Sequence, residues 1–320
     1  MKSKKNLFFA FFALSSMLKA EPGIKVQAKM NYKKKAMEIS CLSEKNYPCT
    51  VEIVLDELEN FEKKYKRGDV IHLIAQKGMN TTLSIKANTE KIPRISITSD
   101  FVKGNLLACP NLNHAYLMPV ANGKKTVVDE LSYVGKISDQ DLAPKNWYSL
   151  SFKTNAGDTI YAARRGVVTG TCDNNASSEP QMMYASRENF IEIFHNDGTF
   201  ANYRLFRNNG LFVKEGDWVE AGDPIGIIGG ENYAGGSHLR FSVYRPVMEK
   251  PDEPAKSNYY WEYLHIRFCT SESENAELSP RVAYTAIKPQ KLITLEMSKS
   301  EKKNYFKNRG NALAQRTSQR

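Results

Sequence analysis

The sequence predicts an all-β protein with two domains. Many short runs alternate apolar and polar residues, as strands with one buried face do, and turn residues separate these runs. Tyrosine (16) and phenylalanine (15) are frequent, and both residue types favour strands. A chain of 320 residues is long enough for two domains that each bury a core of their own. We therefore expect an N-terminal β-sandwich-like domain followed by an antiparallel β-sheet domain.

The first 20 residues predict a secretory signal peptide. Three lysines within the first five residues precede an apolar run from Leu7 to Leu18, and the small residue Ala20 follows it. This order is typical of a signal peptide. A run of about a dozen apolar residues is shorter than the roughly 20 that span a bilayer, which favours cleavage after Ala20 over an uncleaved anchor. We expect a periplasmic or secreted protein.

The net charge of +10 belongs to the two ends of the chain. Residues 1–20 carry four lysines, and residues 287–320 carry nine lysines and arginines against Glu296 and Glu301. The remaining residues are close to neutral. Export argues against nucleic acid as a partner. The basic tail at 287–320 is then either a solvated segment or an arm that meets an anionic membrane or wall polymer.

The five cysteines predict no redox or zinc motif, because none belongs to a Cys-x-x-Cys pair. Export permits disulfides, and a Cys41–Cys49 bond would close a short loop. The other three cysteines cannot be paired from the sequence.

Residues 21–108 are expected to form the first domain, without catalytic residues. Alternating runs at 51–55, 70–74, 82–85 and 95–98 predict strands spaced as in a sandwich. His72 falls within one of these strands, with no second ligand type near it. We interpret this domain as a targeting or docking module.

The later part of the chain carries a series of motifs in a specific order. A turn Phe194-His-Asn-Asp-Gly is followed by Tyr203-Arg-Leu-Phe, and a hairpin starts at Gly216-Asp-Trp-Val-Glu-Ala-Gly-Asp-Pro-Ile-Gly. The strand Ser237-His-Leu-Arg-Phe then follows, and Ala162-Ala-Arg-Arg-Gly-Val-Val lies upstream. This order resembles the lysostaphin/LytM-type zinc endopeptidases, which cut peptide cross-links in bacterial peptidoglycan. The resemblance covers residues 115–286 and implies a LytM-type antiparallel β-sheet domain.

The resemblance also implies a zinc ion held by His, Asp and His, with an open position for water. In this sequence the first ligand position falls on Asp139, or on Trp147 in a second alignment. The second position falls on Ser151 and the third on Arg240. Arginine stays protonated and has no lone pair for a metal, so a cation occupies the place of a ligand. We expect Arg240 to pair with Asp139 or Asp141.

Among the histidines of the motifs, only His238 persists, as a vestigial catalytic residue. The family's histidine in the Tyr-Ala-His-Leu strand corresponds to Leu205. His195 lies at the family's turn position, where we interpret it as a turn-capping residue. His114 and His265 have no ligand partner at metal-binding spacing, and we interpret them as surface or packing residues.

Two functional hypotheses follow from the resemblance. In the first, a catalytically inactive LytM-type domain without a cofactor binds peptidoglycan or a cell-wall hydrolase through the former substrate groove. Its groove residues are Asp139, Ser151 and Arg240, together with Tyr203 and Arg204 at the rim. In the second, displaced ligands still hold zinc, and the protein is an active metalloendopeptidase that cleaves peptidoglycan cross-links; the zinc content of the purified protein separates the two. A biotinyl- or lipoyl-type carrier is excluded, because its Met-Lys-Met-like turn is missing.

Overall fold

The predicted all-β class is confirmed by a computed structural model of the chain. The structure describes residues 23–88, 91–132, 146–176, 187–233, 235–249 and 259–307, and every structural statement refers to these. Twenty strands and two short helices lie within them. The chain divides into two compact units on either side of the bond between Asn105 and Leu106.

The first unit contains six strands in two antiparallel sheets of three. These strands are β1 (Ile24–Asn31), β2 (Ala36–Ser43), β3 (Cys49–Glu59), β4 (Val70–Ala75), β5 (Gly78–Lys86) and β6 (Arg94–Lys103). The sheet orders are β1-β2-β5 and β4-β3-β6. Buried residues from both sheets form one hydrophobic cluster. The four strands predicted at 51–55, 70–74, 82–85 and 95–98 lie within β3 to β6.

Two details of this unit bear on the sequence predictions. His72 lies on β4 opposite Glu52 of β3, and its Nε2 is 3.1 Å from the Glu52 carboxylate. The Cys41–Cys49 disulfide is not formed, because all five cysteines are free thiols. Cys41 and Cys49 instead pack in the hydrophobic cluster, where burial raises the pKa of the Cys41 thiol to about 11.

The second unit contains the remaining strands. They are β7 (Ala115–Leu117), β8 (Lys125–Glu130), β9 (Leu150–Lys153), β10 (Thr159–Tyr161), β11 (Gly166–Cys172), β12 (Phe190–Phe194), β13 (Phe200–Arg204), β14 (Phe206–Leu211), β15 (Trp218–Val219), β16 (Pro224–Ile228), β17 (His238–Met248), β18 (Tyr259–Tyr263), β19 (Arg267–Cys269) and β20 (Val282–Thr285). Helix α1 (Gln290–Ile293) and helix α2 (299–307) follow them.

A nine-stranded sheet is the centre of the second unit. Its order is β15-β11-β12-β13-β17-β9-β8-β20, and β18 pairs with β17. A three-stranded sheet, β10-β16-β14, and the parallel pair β19-β7 complete the unit. Residues from all three sheets contribute to one hydrophobic cluster.

The two faces of the large sheet differ in chemistry, because successive side chains of a strand point to opposite sides. On β17, Leu239, Phe241 and Val243 are buried in the hydrophobic cluster. The residues that alternate with them are His238, Arg240, Ser242 and Tyr244. One face of the sheet therefore forms the core, and we call the other the polar face.

Residues 288–307 of the predicted basic tail are packed structure rather than a solvated arm. Ile293 and Met297 are buried against Leu117 and Ala221. Residues 308–320 lie outside the described residues, as does the predicted signal peptide. Among the described helices, none has the length and apolar character needed to cross a membrane.

Candidate functional site

Five residues from adjacent strands form a row across the polar face. Phe190 of β12 lies opposite Arg204 of β13, and Arg204 lies opposite Arg240 of β17. On its other side Arg240 faces Ser151 of β9, which faces Asp129 of β8. Directly opposed residues share a face, with Cβ atoms about 5 Å apart. The register thus brings together three of the predicted site residues: Arg204, Arg240 and Ser151.

His238 is held by hydrogen bonds at both ring nitrogens. Its Nδ1 lies 2.8 Å from the carbonyl oxygen of Gly236, and its Nε2 lies 3.3 Å from Nε of Arg240. Since the arginine nitrogen can only donate, Nε2 is the acceptor and Nδ1 carries the proton. Burial lowers the pKa of His238, and the charge of Arg240 lowers it further. The ring is therefore a neutral imidazole whose Nε2 lone pair is already engaged.

Glu188 is a site residue that the sequence analysis missed. Its side chain is only 4% exposed, and its Oε1 lies 2.6 Å from Nη1 of Arg240. Its Oε2 lies 3.6 Å from Nη1 of Arg204. The hydroxyl of Tyr233 is 3.4 Å from Oε1, and the guanidinium of Arg240 stands over the Tyr233 ring. Glu188 belongs to none of the recognised motifs, and no local pattern distinguishes it in the sequence.

The polar face continues from this cluster into a second group of buried polar side chains. Glu192 accepts hydrogen bonds from Thr169 at 2.7 Å and from Tyr244 at 2.5 Å. Burial and the neighbouring Glu192 charge raise the pKa of Tyr244 well above its ordinary value. Asn202 lies beside Tyr244, with 3.5 Å between its Nδ2 and the hydroxyl. These four residues extend the site along the sheet and were not recognised in the sequence.

Two predictions about the groove need correction or further comment. Tyr203 does not lie at the rim: it is fully buried in the core, where its ring packs on Phe241 and its hydroxyl accepts a hydrogen bond from the Ala163 amide. The reason is strand alternation, because Tyr203 points away from its exposed neighbour Arg204. The expected partners of Arg240, Asp139 and Asp141, lie outside the described residues. Their pairing with Arg240 therefore stays a prediction, and within the described chain Arg240 pairs with Glu188.

The other positions at which the resemblance predicts a histidine have unrelated structural roles. Trp147 donates from its indole nitrogen to the Leu131 carbonyl at 2.8 Å and packs on Tyr263. Leu205 is buried, with a positive φ of 78° between β13 and β14. Its backbone connects the two strands, and its side chain offers no lone pair.

The remaining histidines are distributed around the unit. His195 lies in the turn after β12. Its amide donates a hydrogen bond to the Thr199 carbonyl, and its carbonyl accepts one from the Gly198 amide. Its ring is completely buried, with Nδ1 2.8 Å from the Arg165 carbonyl oxygen. His114 lies 3.8 Å from the Glu296 carboxylate. His265 is exposed and stacks on Tyr148.

The donor set that the described residues place near His238 does not fit a zinc ion. A zinc site needs three or four nitrogen, sulfur or carboxylate lone pairs directed at one point. Here Ser151 and Arg240 stand at two of the ligand positions, and the guanidinium occupies the lone pair of His238. Glu188, the carboxylate that contacts Arg240, is bound to two arginines. The described residues contain no group of three His, Cys, Asp or Glu side chains arranged to hold a metal.

Comparisons with known proteins agree with the sequence motifs. Residues 145–254 match the sequence model of peptidase family M23. A search of curated proteins finds no match. The solution structure of lysostaphin is 21% identical, with 37% of this chain and 46% of that chain covered and a TM-score of 0.23. This chain thus spans about half the length of that protein.

Two further solved structures illustrate the range of similarity. The catalytic domain of lysostaphin from Staphylococcus simulans is 22% identical, with 43% of this chain and 87% of that chain covered and a TM-score of 0.25. A structure of Helicobacter pylori Csd3 is 12% identical, with 91% of this chain and 78% of that chain covered and a TM-score of 0.28. At these TM-scores the similarities carry no functional conclusion. The family match over residues 145–254 confirms the resemblance of this part of the chain to peptidase family M23.

Proposed function

We propose that this protein is an exported, catalytically inactive LytM-type factor of the bacterial cell wall. It binds peptidoglycan, or a wall hydrolase that it regulates, through the polar face of the large sheet. The observation that supports this proposal is the contact of Arg240 with both His238 and Glu188. A guanidinium stands where the family places a metal-binding imidazole, and its charge is balanced by a buried carboxylate.

The charge of the site supports inactivity. A permanent cation repels a divalent ion, and its hydrogen bond engages the lone pair on Nε2 of His238. Without a metal, the family's route to hydroxide at neutral pH is closed. The neutral His238 still has an acceptor nitrogen, but that nitrogen is directed at Arg240 rather than at a water. These features of the described residues support an inactive domain.

The same geometry supports a binding role. Arg204 is 45% exposed and sits beside Arg240, with hydrogen-bond donors directed at solvent as well as at Glu188. Ser151, directly opposite Arg240, adds a hydroxyl group to the same face. Peptide stems and amino sugars present the carbonyl, carboxylate and hydroxyl groups that such a surface hydrogen-bonds. The signal peptide predicted at residues 1–20 supports export. An exported protein would have this face in contact with the wall.

A pull-down on purified sacculi, with cross-link cleavage measured on the same samples, tests the proposal. We expect the protein to bind sacculi without releasing peptides. Arg204→Gln removes an exposed cation of the polar face and should weaken binding by about tenfold, as loss of one charged hydrogen bond does. Arg207→Gln is the matched control. Arg207 is exposed on β14, which follows β13 in the sequence but belongs to the three-stranded sheet.

The outcomes separate the alternatives. Loss of binding in Arg204→Gln, with none in Arg207→Gln, supports recognition of peptidoglycan by the polar face. If Arg204→Gln and Arg207→Gln bind sacculi equally well, another surface recognises peptidoglycan, and the result argues against this site. Cleavage that stops on addition of a chelator would establish the active zinc endopeptidase in place of the inactive factor. If sacculi are not bound, co-purification with a wall hydrolase tests the regulatory form of the proposal.

A further inference from the structure

The C-terminal segment is fastened to the second unit by two buried arginines. Arg164 and Arg165 precede β11, and the side chain of each is about 5% exposed. Arg164 binds Glu296 through two hydrogen bonds, Nε to Oε2 at 2.9 Å and Nη2 to Oε1 at 2.6 Å. Arg165 binds the carboxylate of Glu301 at 2.8 Å. Two parallel bonds between arginine and carboxylate fix direction as well as distance, so the segment is held in one orientation.

The acidic side chain and the exposed lysines of helix α2 lie on different sides of the helix. Its single acidic residue, Glu301, is directed at Arg165, and Lys302 and Tyr305 are partly buried on the same side. Lys299, Lys303 and Lys307 are exposed. Residues four apart lie above one another on a helix, so the three lysines form one stripe that points away from the domain. We call these three residues the lysine stripe.

Apolar side chains accompany the lysine stripe. Phe306 is 45% exposed and lies next to the stripe on the helical surface. Leu295, in the turn that precedes α2, is 51% exposed. No acidic residue follows Glu301 in the sequence, and three further arginines do. Within the described residues, this segment thus exposes three lysines, with Phe306 beside them and Leu295 in the preceding turn.

We propose that the lysine stripe, with Phe306 and Leu295, is a docking surface for an anionic phospholipid membrane. The partner is inferred from charge and from shape. Juxtaposed lysines attract anionic headgroups, with about 1 kcal/mol for each lysine near the surface. Exposed phenylalanine and leucine beside basic residues are the composition of segments that lie in the membrane interface. A soluble wall polyanion would bind the lysines but would leave Phe306 and Leu295 exposed to water.

This docking surface is independent of the polar face and of the proposed wall function. It lies on the segment that Arg164 and Arg165 fasten, and its residues make no contact with Glu188, Arg204 or Arg240 within the described chain. The fastening has a consequence for binding. Because α2 is already folded on the domain, membrane attachment does not require ordering of a free tail, whose entropy would oppose binding.

Vesicle co-sedimentation of residues 21–320 tests the proposal, and this chain omits the N-terminal apolar run, which would itself bind lipid. We expect binding to vesicles that contain phosphatidylglycerol and little binding to pure phosphatidylcholine. Lys299→Gln/Lys303→Gln/Lys307→Gln should weaken binding by about a hundredfold. Lys63→Gln/Lys64→Gln/Lys66→Gln is the matched control, since it removes the same charge from three exposed lysines of the first unit.

A second variant separates lipid from other polyanions. Phe306→Ser should reduce binding to anionic vesicles severalfold and leave retention on a sulfated polysaccharide column unchanged. Equal vesicle binding by the wild type and the lysine-stripe variant would overturn the proposal. So would retention on the column without any vesicle binding, because it would assign the surface to a soluble polyanion. Circular dichroism and thermal melts confirm that all variants are folded.

Discussion

Nη1 of Arg240 lies 2.6 Å from Oε1 of Glu188, whose side chain is almost completely buried. The pair joins Glu188, just before β12, to Arg240 of the central strand β17, 52 residues later in the chain. Arg204 and His238 are the neighbours of this ion pair. The stability of the sheet at this point therefore depends on the pairing of the two charges.

Removing either member of the pair should destabilise the protein strongly. Glu188→Gln leaves the guanidinium of Arg240 without its buried counter-charge, and the loss of a partner from a buried pair costs about 3 kcal/mol. Arg204→Gln removes a side chain that is nearly half exposed, so its cost should stay below about 1 kcal/mol. Urea unfolding of the wild type, Glu188→Gln and Arg204→Gln measures the difference in unfolding free energy. Similar midpoints for Glu188→Gln and the wild type would show that solvent, not Glu188, balances Arg240.

Zinc should bind only after the arginine is replaced. In wild type, Arg240 repels the ion, so added zinc should leave the melting temperature unchanged. Ser151→Asp/Arg240→His places a carboxylate and an imidazole on directly opposed strands, and Glu188 is released from its pairing with Arg240. Zinc at about 100 times its dissociation constant should then stabilise the folded state by about 2.7 kcal/mol.

Ser151→Asp/Arg240→Gln is the control for this prediction, because it has the same new carboxylate but no imidazole. It should respond to zinc much less than the double variant with histidine. Chelator-sensitive stabilisation of the wild type by zinc would contradict the prediction and favour the enzymatic alternative.

Local sequence patterns were sufficient for the fold and for part of the site. The alternation of apolar and polar residues predicts the strands, and residues two apart on a strand, such as His238 and Arg240, share one face, because these properties depend on neighbours in sequence. Glu188 and Glu296 could not be found in this way. They contact arginines 52 and 132 residues away, and a single sequence does not show such pairs. The net positive charge of the tail also gave no sign that its two acidic residues, Glu296 and Glu301, form ion pairs with the domain.

The contact between Arg164 and Glu296 should contribute more stability than that between Arg165 and Glu301. Glu296→Gln removes the charge that is doubly hydrogen-bonded to a buried guanidinium, and we expect a loss of about 3 kcal/mol in unfolding free energy. Glu301→Gln should have a smaller effect, because the Glu301 side chain is half exposed. Glu274→Gln, at an exposed ion pair with Lys291, should change the stability by no more than about 0.5 kcal/mol. Equal effects of Glu296→Gln and Glu274→Gln would show that the C-terminal segment is not fastened by this pair.

Stability should also fall in mild acid, and His195 is the main cause that we identify. Burial, with the charge of Arg164 next in size, lowers the pKa of His195 to about 4. In the unfolded chain the pKa is about 6.5. Between these values the unfolded state binds a proton that the folded state does not, so stability decreases as the pH falls from about 6.5 to about 4. The decrease attributable to His195 is about 3 kcal/mol.

Unfolding free energies at a series of pH values measure this effect. His195→Gln should be less stable at neutral pH, because its side chain replaces an imidazole that is hydrogen-bonded to Arg165, and should show a flatter pH dependence by about one proton. His265→Gln is the control: His265 is exposed, and the slope should remain that of the wild type. Below about pH 4 a second decline should appear, because Glu296 and Asp197 become protonated. Burial raises the pKa of each, but Arg164 outweighs it and holds both below their ordinary values. An unchanged slope between pH 6.5 and pH 4 in His195→Gln would show that another group takes up this proton.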